Sequence, residues 1–283
     1  MMNIINAIFN IVTDFSRELT RDLYGLNRAN QMGGALEEWV KDIFANTIHI
    51  DDEQERLIRL SWVFSYLGNQ NNPPDIILRN GDAIEVKKVT NKDATLALNS
   101  SYPKNKLFAH SPLITQSCRQ CEENWTQKDI LYIVGVVPKN QTLHSLFMVY
   151  GEDYCANPNT YERIRQAIST GIQTIPDIEF TSTNELAKVK KVDPLGITDL
   201  RVRGMWSIAS PFKVFDYIYK RDLTKSFNFA CIINQEKYQS FNNTILIENL
   251  IGRIDGFNIQ DVYIKNPNNP AQLKSAKLIS FSV

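Results

Sequence analysis

The chain has 283 residues, 43% of them hydrophobic and 22% charged, an ordinary globular composition with material for a sizeable core. Its 31 Lys and Arg balance 31 Asp and Glu, so bulk charge makes no case for nucleic acid and any phosphate-binding face has to be local. No apolar run of about 18 residues is present and the N-terminus lacks a basic, cleavable leader, which predicts a soluble cytoplasmic protein with no membrane partner.

Residues 3–12, NIINAIFNIV, and about 29–46, ANQMGGALEEWVKDIFAN, carry apolar residues three and four apart and predict two helices, the second with Leu36, Val40, Ile43 and Phe44 on one stripe. The segment 57–68, LIRLSWVFSYLG, fits helix or strand by pattern. Next, 72–88, NPPDIILRNGDAIEVKK, reads as two apolar strands around a tight Asn80-Gly81 turn. The polar stretch 99–115 is too irregular for a regular element and long enough for a working loop.

The run DILYIVGVV at 129–137 predicts a strand buried on both faces, with LFMVYG at 146–151 as its hairpin partner or neighbour. Asn157 and Pro158 open a helix that Gly171 is expected to end. Strand-like runs recur at 197–208, at 226–241 and in the closing AKLISFSV. With no repeat and no Gly/Ser-rich linker, the whole pattern predicts a single α/β domain over 1–283, a mixed central β-sheet flanked by helices.

Cys118 and Cys121 make one CxxC, but no second close pair of Cys or His follows, so two free thiols on a polar helix are expected rather than zinc. His49, His110 and His144 lie far apart in sequence, beside no recognisable nucleophile motif.

The hairpin carries more chemistry. Side chains alternate along a strand, so Ile84 and Val86 share one face while Glu85 and Lys87 share the other. The turn folds the first strand back, bringing Asp75 near that pair. Two carboxylates and an ammonium can be a solvated salt-bridging edge. Here Ile76, Ile77, Leu78, Ile84 and Val86 mark both strands as buried, and a buried charge cluster needs a partner, usually a metal. Paired carboxylates suit Mg²⁺, which takes oxygen ligands and keeps waters that a phosphate can replace. Lys87 can position or help deprotonate a water, and together these groups suit phosphodiester hydrolysis.

Pro74-Asp75 followed by Glu85-Val86-Lys87 resembles the PD-(D/E)xK nuclease motif. Beyond it, NRANQMGGALEEWVKDIF, VFSYLGNQNNPPDIILRNGDAIEVKK, ALNSSYPKNKL, DILYIVGVV, RVRGMW and KNPNNPAQLKSAKLISF resemble the NgoPII family of type II restriction endonucleases across nearly the whole chain. The resemblance implies a restriction-endonuclease-like core at about 29–150, a candidate DNA-recognition region at 195–283, and Mg²⁺-dependent cleavage of double-stranded DNA at the palindrome GGCC. It also implies a partner methyltransferase. A palindrome cut on both strands by one site per chain calls for a two-fold homodimer.

Around the motif, Gly33 followed four residues on by Glu37 resembles the family pattern in which a helical glutamate joins the metal site; Glu37, rather than Glu38, shares a direction with Gly33 and Asn30. The alternative is an exposed glutamate on an amphipathic helix. Lys88 points to the opposite strand face, as a rim residue or phosphate contact, and Asp82 is a turn residue. Arg201 and Arg203 share a strand face, with Gly204 permitting close backbone approach, and are candidates for reading guanine; an ordinary solvated face is the alternative. Ser100, Ser101, Lys104 and Lys106 are candidates for the DNA phosphates, and Asn266, Asn268 and Asn269 for a turn, with reading of adenine-like edges as the alternative. The rival functions are a repair or structure-specific nuclease of the same superfamily, and a catalytically silent DNA-binding scaffold.

Overall fold

Apolar spacing decides the first elements of the computed structural model, which describes residues 2–19, 28–69, 72–138, 142–176, 178–181, 183 and 185–283. Helix α1 (Ile4–Thr13) starts at Asn3, whose side chain accepts from the Ile5 and Asn6 amides while Asn6 Oδ1 accepts from the Asn3 amide at 3.1 Å. With Ile4, Ile5, Ile8 and Ile11 all buried, it is a core helix. Helix α2 (Arg28–Ala45) turns Leu36, Val40, Ile43 and Phe44 inward as their spacing predicts; the direction of the Asn30 side chain and the surroundings of Gly33 lie outside what is described.

The ambiguous 57–68 segment is both things, because α3 (Glu53–Val63) runs straight into β1 (Phe64–Asn69). The cause is non-local. Arg79 donates its amide to Val63 O at 2.8 Å and its guanidinium to Ser61 O at 2.7 Å and Phe64 O at 3.0 Å, satisfying carbonyls that the helix end leaves open. Strands β2 (Asn72–Leu78) and β3 (Ala83–Val89) form the expected hairpin, with Asn80 at φ 56° in its turn.

Strand β4 (Thr95–Asn99) precedes the loop, which is interrupted by β5 (Lys106–Phe108) and followed by α4 (Gln116–Arg119). Cys118 on α4 is buried in the core rather than displayed on a polar helix, and it and Cys121 are free thiols. Strands β6 (Gln127–Val136) and β7 (Ser145–Tyr150) pair antiparallel and are almost wholly buried. After α5 (Gly151–Tyr154), α6 (Pro158–Gln173) continues two residues past Gly171, on an open face where a glycine costs the helix only about 1 kcal/mol.

The strand-like run at 197–208 breaks in two. After β8 (Glu179–Phe180) and β9 (Ala187–Lys190), β10 (Leu200–Val202) pairs with β9, whereas β11 (Trp206–Ala209) pairs with β4. Helix α7 (Pro211–Val214) leads to β12 (Asn228–Asn234), which stops where Asn234 caps α8 (Gln235–Ser240) by accepting from the Lys237 amide at 2.9 Å. Helix α9 (Ile245–Glu248) and the hairpin of β13 (Phe257–Asn266) and β14 (Asn269–Ser282) finish the chain, the asparagines forming the expected turn.

The central sheet is mixed and nine-stranded, in the order β1-β2-β3-β6-β7-β12-β14-β13, with β5 on the start of β6. Strand pairs β3/β6 and β7/β12 are parallel and the others antiparallel. One face packs on α1 and α2; the other packs on α4, α5 and α7. Among the described residues no helix is long and apolar enough to cross a membrane.

Buried Arg56 ties α3 to α2, its guanidinium reaching Asp42 at 2.7 Å, Glu38 at 2.5 Å and Glu53 at 3.1 Å. Removing it takes the guanidinium from both carboxylates at once, although Glu38 keeps Lys41 at 2.7 Å and Asp42 keeps the Thr47 hydroxyl at 2.5 Å. Arg56→Ala is expected to cost roughly 3–5 kcal/mol of unfolding free energy by urea titration, the range for breaking one side of a buried pair.

Candidate active site

The site begins where the β2/β3 ladder ends. Ile76 pairs with Ile84 and Ile77 with Ala83, which sets Asp75 across from Glu85. Pro73 and Pro74 carry no amide hydrogen and cannot extend the ladder as donors. Asp75 instead uses its side chain, Oδ2 accepting from the Val86 amide at 2.7 Å. Gly68 on β1 makes the approach possible, because a Cβ there would lie 2.4 Å from Pro74 O and 2.8 Å from Asp75 O.

Alternation along β3 then sorts its side chains. Ile84 and Val86 enter the core beneath α1 and α2, and Glu85 and Lys87 take the other face, with Lys87 Nζ 2.6 Å from Glu85 Oε1. Glu85 is only 9% exposed, and its second oxygen, Oε2, is buried with no hydrogen-bond partner among the described residues. That orphan is informative, since a buried carboxylate oxygen costs free energy unless something pairs with it.

Helix α2 adds a third carboxylate. Glu37 exerts a charge effect on both Asp75 and Lys87 and shares Lys41 with Glu38, at 2.9 and 2.7 Å, while Glu38 also reaches Arg56. Burial first, then the Glu85 carboxylate, hold the Asp75 carboxyl well above the usual range, with Lys87 opposing and Glu37 adding to the rise. For Lys87, burial works against the charge, but Glu85 and Asp75 outweigh it and its pKa is raised. Lys87 is therefore a fixed ammonium at neutral pH.

Asp75, Glu85 and Lys87 line a cavity of about 630 Å³ with Ser100, Ser101 and Lys104 from the loop after β4. Lys104 is buried, donates to Ser101 Oγ and has Nζ 5.3 Å from the Tyr102 ring centre. Its backbone is pinned by Tyr132, the β6 partner of Glu85, whose hydroxyl accepts from the Lys104 amide at 2.8 Å. Burial pulls the Lys104 ammonium down to about 8, against the opposing pull of Glu85. Lys106 goes elsewhere: β5 carries it to Asp129 at 2.6 Å and Glu152 at 2.9 Å, outside the cavity lining. Lys88 points to the opposite face of β3, as alternation predicts.

Arg203 reaches the far wall of the same cavity, together with Met205 and Glu185. Glu185 accepts from Arg201 Nε at 2.9 Å and Nη2 at 2.7 Å, and from Arg203 Nε at 2.6 Å. Sequence reasoning did not single out Glu185, because it meets the arginines only through the pairing of β9 with β10. Tyr132 was likewise hidden inside an apolar strand, and its role depends on the β3/β6 register.

An oxygen-rich, half-neutralised pocket of this kind suits a hard divalent cation. Among the described residues no three His, Cys, Asp or Glu side chains close into a ready-made metal cage. The carboxylates facing the cavity are the open pair Asp75 and Glu85, with Glu37 acting on Asp75 from α2.

Two comparisons with known proteins bear on this geometry. The family model of the NgoPII restriction endonuclease matches residues 2–265. The chain is 52% identical to the type II restriction enzyme NgoPII of Neisseria gonorrhoeae over 281 residues, which covers 99% of each protein. No solved structure matches it significantly.

Crowded carboxylates set a stability prediction. Asp75 keeps its proton to higher pH when folded than an unfolded aspartate does at about 3.9, so the folded state holds more protons in between and loses stability as pH rises through that window. In metal-free buffer the melting temperature should fall from about pH 5 to about pH 9 more steeply for wild type than for Asp75→Asn. At the upper pH the variant should melt a few degrees higher than wild type.

Proposed function

The chain belongs to the NgoPII restriction endonuclease family and is a type II, site-specific deoxyribonuclease, and from that premise we propose that it requires Mg²⁺, cuts double-stranded DNA at the palindrome GGCC, and uses Asp75, Glu85 and Lys87 for the chemistry. The observation that carries this reading is the buried Glu85 Oε2, unpartnered among the described residues, beside Asp75 in a cavity shared with the Lys87 and Lys104 ammoniums and with Arg203.

Asp75 and Glu85 would hold the cation, with Glu37 as the nearest further carboxylate. When bound, Mg²⁺ supplies positive charge beside the scissile phosphate and makes a coordinated water more acidic. Lys87 orients the attacking water and steadies negative charge on phosphorus as the new P–O bond forms and the ester bond opposite it breaks. Ser100, Ser101 and Lys104 hold phosphate oxygens along the adjoining wall. Lys106 and Lys88 have no part in that wall in this reading, although either can meet the DNA outside the cavity.

Arg203, with Arg201 behind it, favours a base-reading enzyme over a repair nuclease, since a guanidinium suits the guanine O6/N7 pair. The recognition region assigned to 195–283 narrows to its first part, because β12 and β14 complete the central sheet. One site per chain acting on a palindrome makes the enzyme a two-fold homodimer in the cytoplasm, paired with a methyltransferase that protects the host copies of the site.

Digestion of plasmid DNA of known sequence with Mg²⁺, and again with EDTA, tests this directly. Discrete Mg²⁺-dependent fragments ending at GGCC are expected; smeared or structure-dependent cleavage, or fragments that persist in EDTA, would contradict it. Lys87→Ala should abolish cleavage while sparing binding to the same site in a gel-shift assay, and retained turnover would remove Lys87 from the mechanism.

A further inference from the structure

Arg201 and Arg203 do not wave freely at the cavity mouth; one carboxylate holds both. Glu185 Oε1 takes Arg201 Nη2 at 2.7 Å and Arg203 Nε at 2.6 Å, and Oε2 takes Arg201 Nε at 2.9 Å. The carboxylate is itself anchored. The Glu185 amide donates to Thr183 Oγ1 at 3.1 Å, and the next amide, of Leu186, donates to Val202 O at 3.0 Å, between the two arginines. Leu186 O in turn accepts from Ser169 Oγ on α6 at 2.8 Å. Gly204 accommodates the Leu186 side chain, since a Cβ there would lie 3.3 Å from Leu186 Cδ1.

The contacts divide the guanidinium edges. Side-on pairing uses Nε and Nη2 of Arg201, whereas Arg203 gives Glu185 only its Nε. The two terminal Nη groups of Arg203 keep an edge clear of Glu185, the edge that forks onto guanine O6 and N7. Arg203 also lines the catalytic cavity.

We propose that Glu185 is a specificity-positioning residue, which fixes the guanidinium planes of Arg201 and Arg203 so that Arg203 presents its terminal edge to a guanine of the recognition site. The inference rests on the restriction reading above. A fixed guanidinium loses little freedom on meeting the correct base and cannot swing to accommodate a wrong one. Replacing the carboxylate frees both arginines while leaving their positive charge, so attraction to DNA survives and discrimination does not. Glu185→Gln separates the two roles. Its carbonyl can still take Arg203 Nε, but its NH₂ meets Arg201 Nε donor to donor.

The experiment compares cleavage rates of wild type, Glu185→Ala and Glu185→Gln on duplexes carrying the site that wild-type digestion maps and on duplexes with one G·C pair of that site replaced. Melting temperature and salt-dependent binding to unrelated DNA are measured alongside. The expected result is a fall of roughly 10- to 100-fold in the cognate-to-altered rate ratio for Glu185→Ala, the scale of one bidentate base contact. A smaller fall is expected for Glu185→Gln, with melting temperature close to wild type and non-specific binding at least as strong, since the arginines lose a neutralising carboxylate; the isosteric variant keeps the test decisive if the alanine variant does not fold. An unchanged ratio in Glu185→Gln and Glu185→Ala would overturn the proposal, even if overall rates drop. So would a rise in activity with the ratio intact, which would make Glu185 a latch that DNA displaces. Wild-type cleavage without site preference would instead strike the restriction reading beneath it.

Discussion

Two carboxylates forced together out of water are the constraint from which the rest of the site follows. Asp75 and Glu85 face each other where the β2/β3 ladder opens, and Glu37 brings a third charge from α2. At an effective dielectric near 20, like charges about 4 Å apart repel by about 4 kcal/mol, a large part of a domain's net stability of about 5–15 kcal/mol. A fold gains nothing from such a cluster unless something positive enters it. Lys87 supplies one charge through Glu85 Oε1, and Glu85 Oε2 remains without a partner among the described residues. Asp75 meets the strain by protonation and Lys87 by staying charged, opposite responses to one field.

The second layer of the molecule is hung on this site rather than folded apart from it. Strand β11 pairs with β4, so the chain that carries Arg203 is stitched to the strand leading into the Ser100–Lys104 loop. Tyr102 of that loop stacks on Tyr161 of α6 at 5.4 Å, and Trp206 lies edge-on to both at 6.2 and 5.7 Å. Aromatic pairs of this geometry contribute about 0.5–1.5 kcal/mol each beyond their buried area. They join the wall of the cavity that carries Arg203 to the wall that carries Ser100, Ser101 and Lys104, and Trp206 stands only three residues from Arg203.

How far the sequence could be read depended on whether a residue's partner was local. The hairpin was legible because alternation, an Asn-Gly turn and apolar flanks all act within 17 residues, 72–88. The 57–68 segment stayed open because the residue that divides it, Arg79, lies across a turn in another strand. Lys106 was grouped with Ser100, Ser101 and Lys104 because nothing nearby announces that β5 returns to β6 and delivers its ammonium to Asp129. Glu185 escaped notice for the same reason, its partners being 16 and 18 residues away across a strand pair.

The most direct test of the account is whether a divalent cation relieves the carboxylate crowding. Melting temperatures of wild type and of the Asp75→Asn, Glu85→Gln double variant would be measured with and without millimolar Mg²⁺. A ligand that binds only the folded state stabilises it by mass action, so wild type should melt higher with Mg²⁺ and the double variant should not respond. Equal responses in both proteins, or none in wild type, would contradict the claim that Asp75 and Glu85 form the cation site.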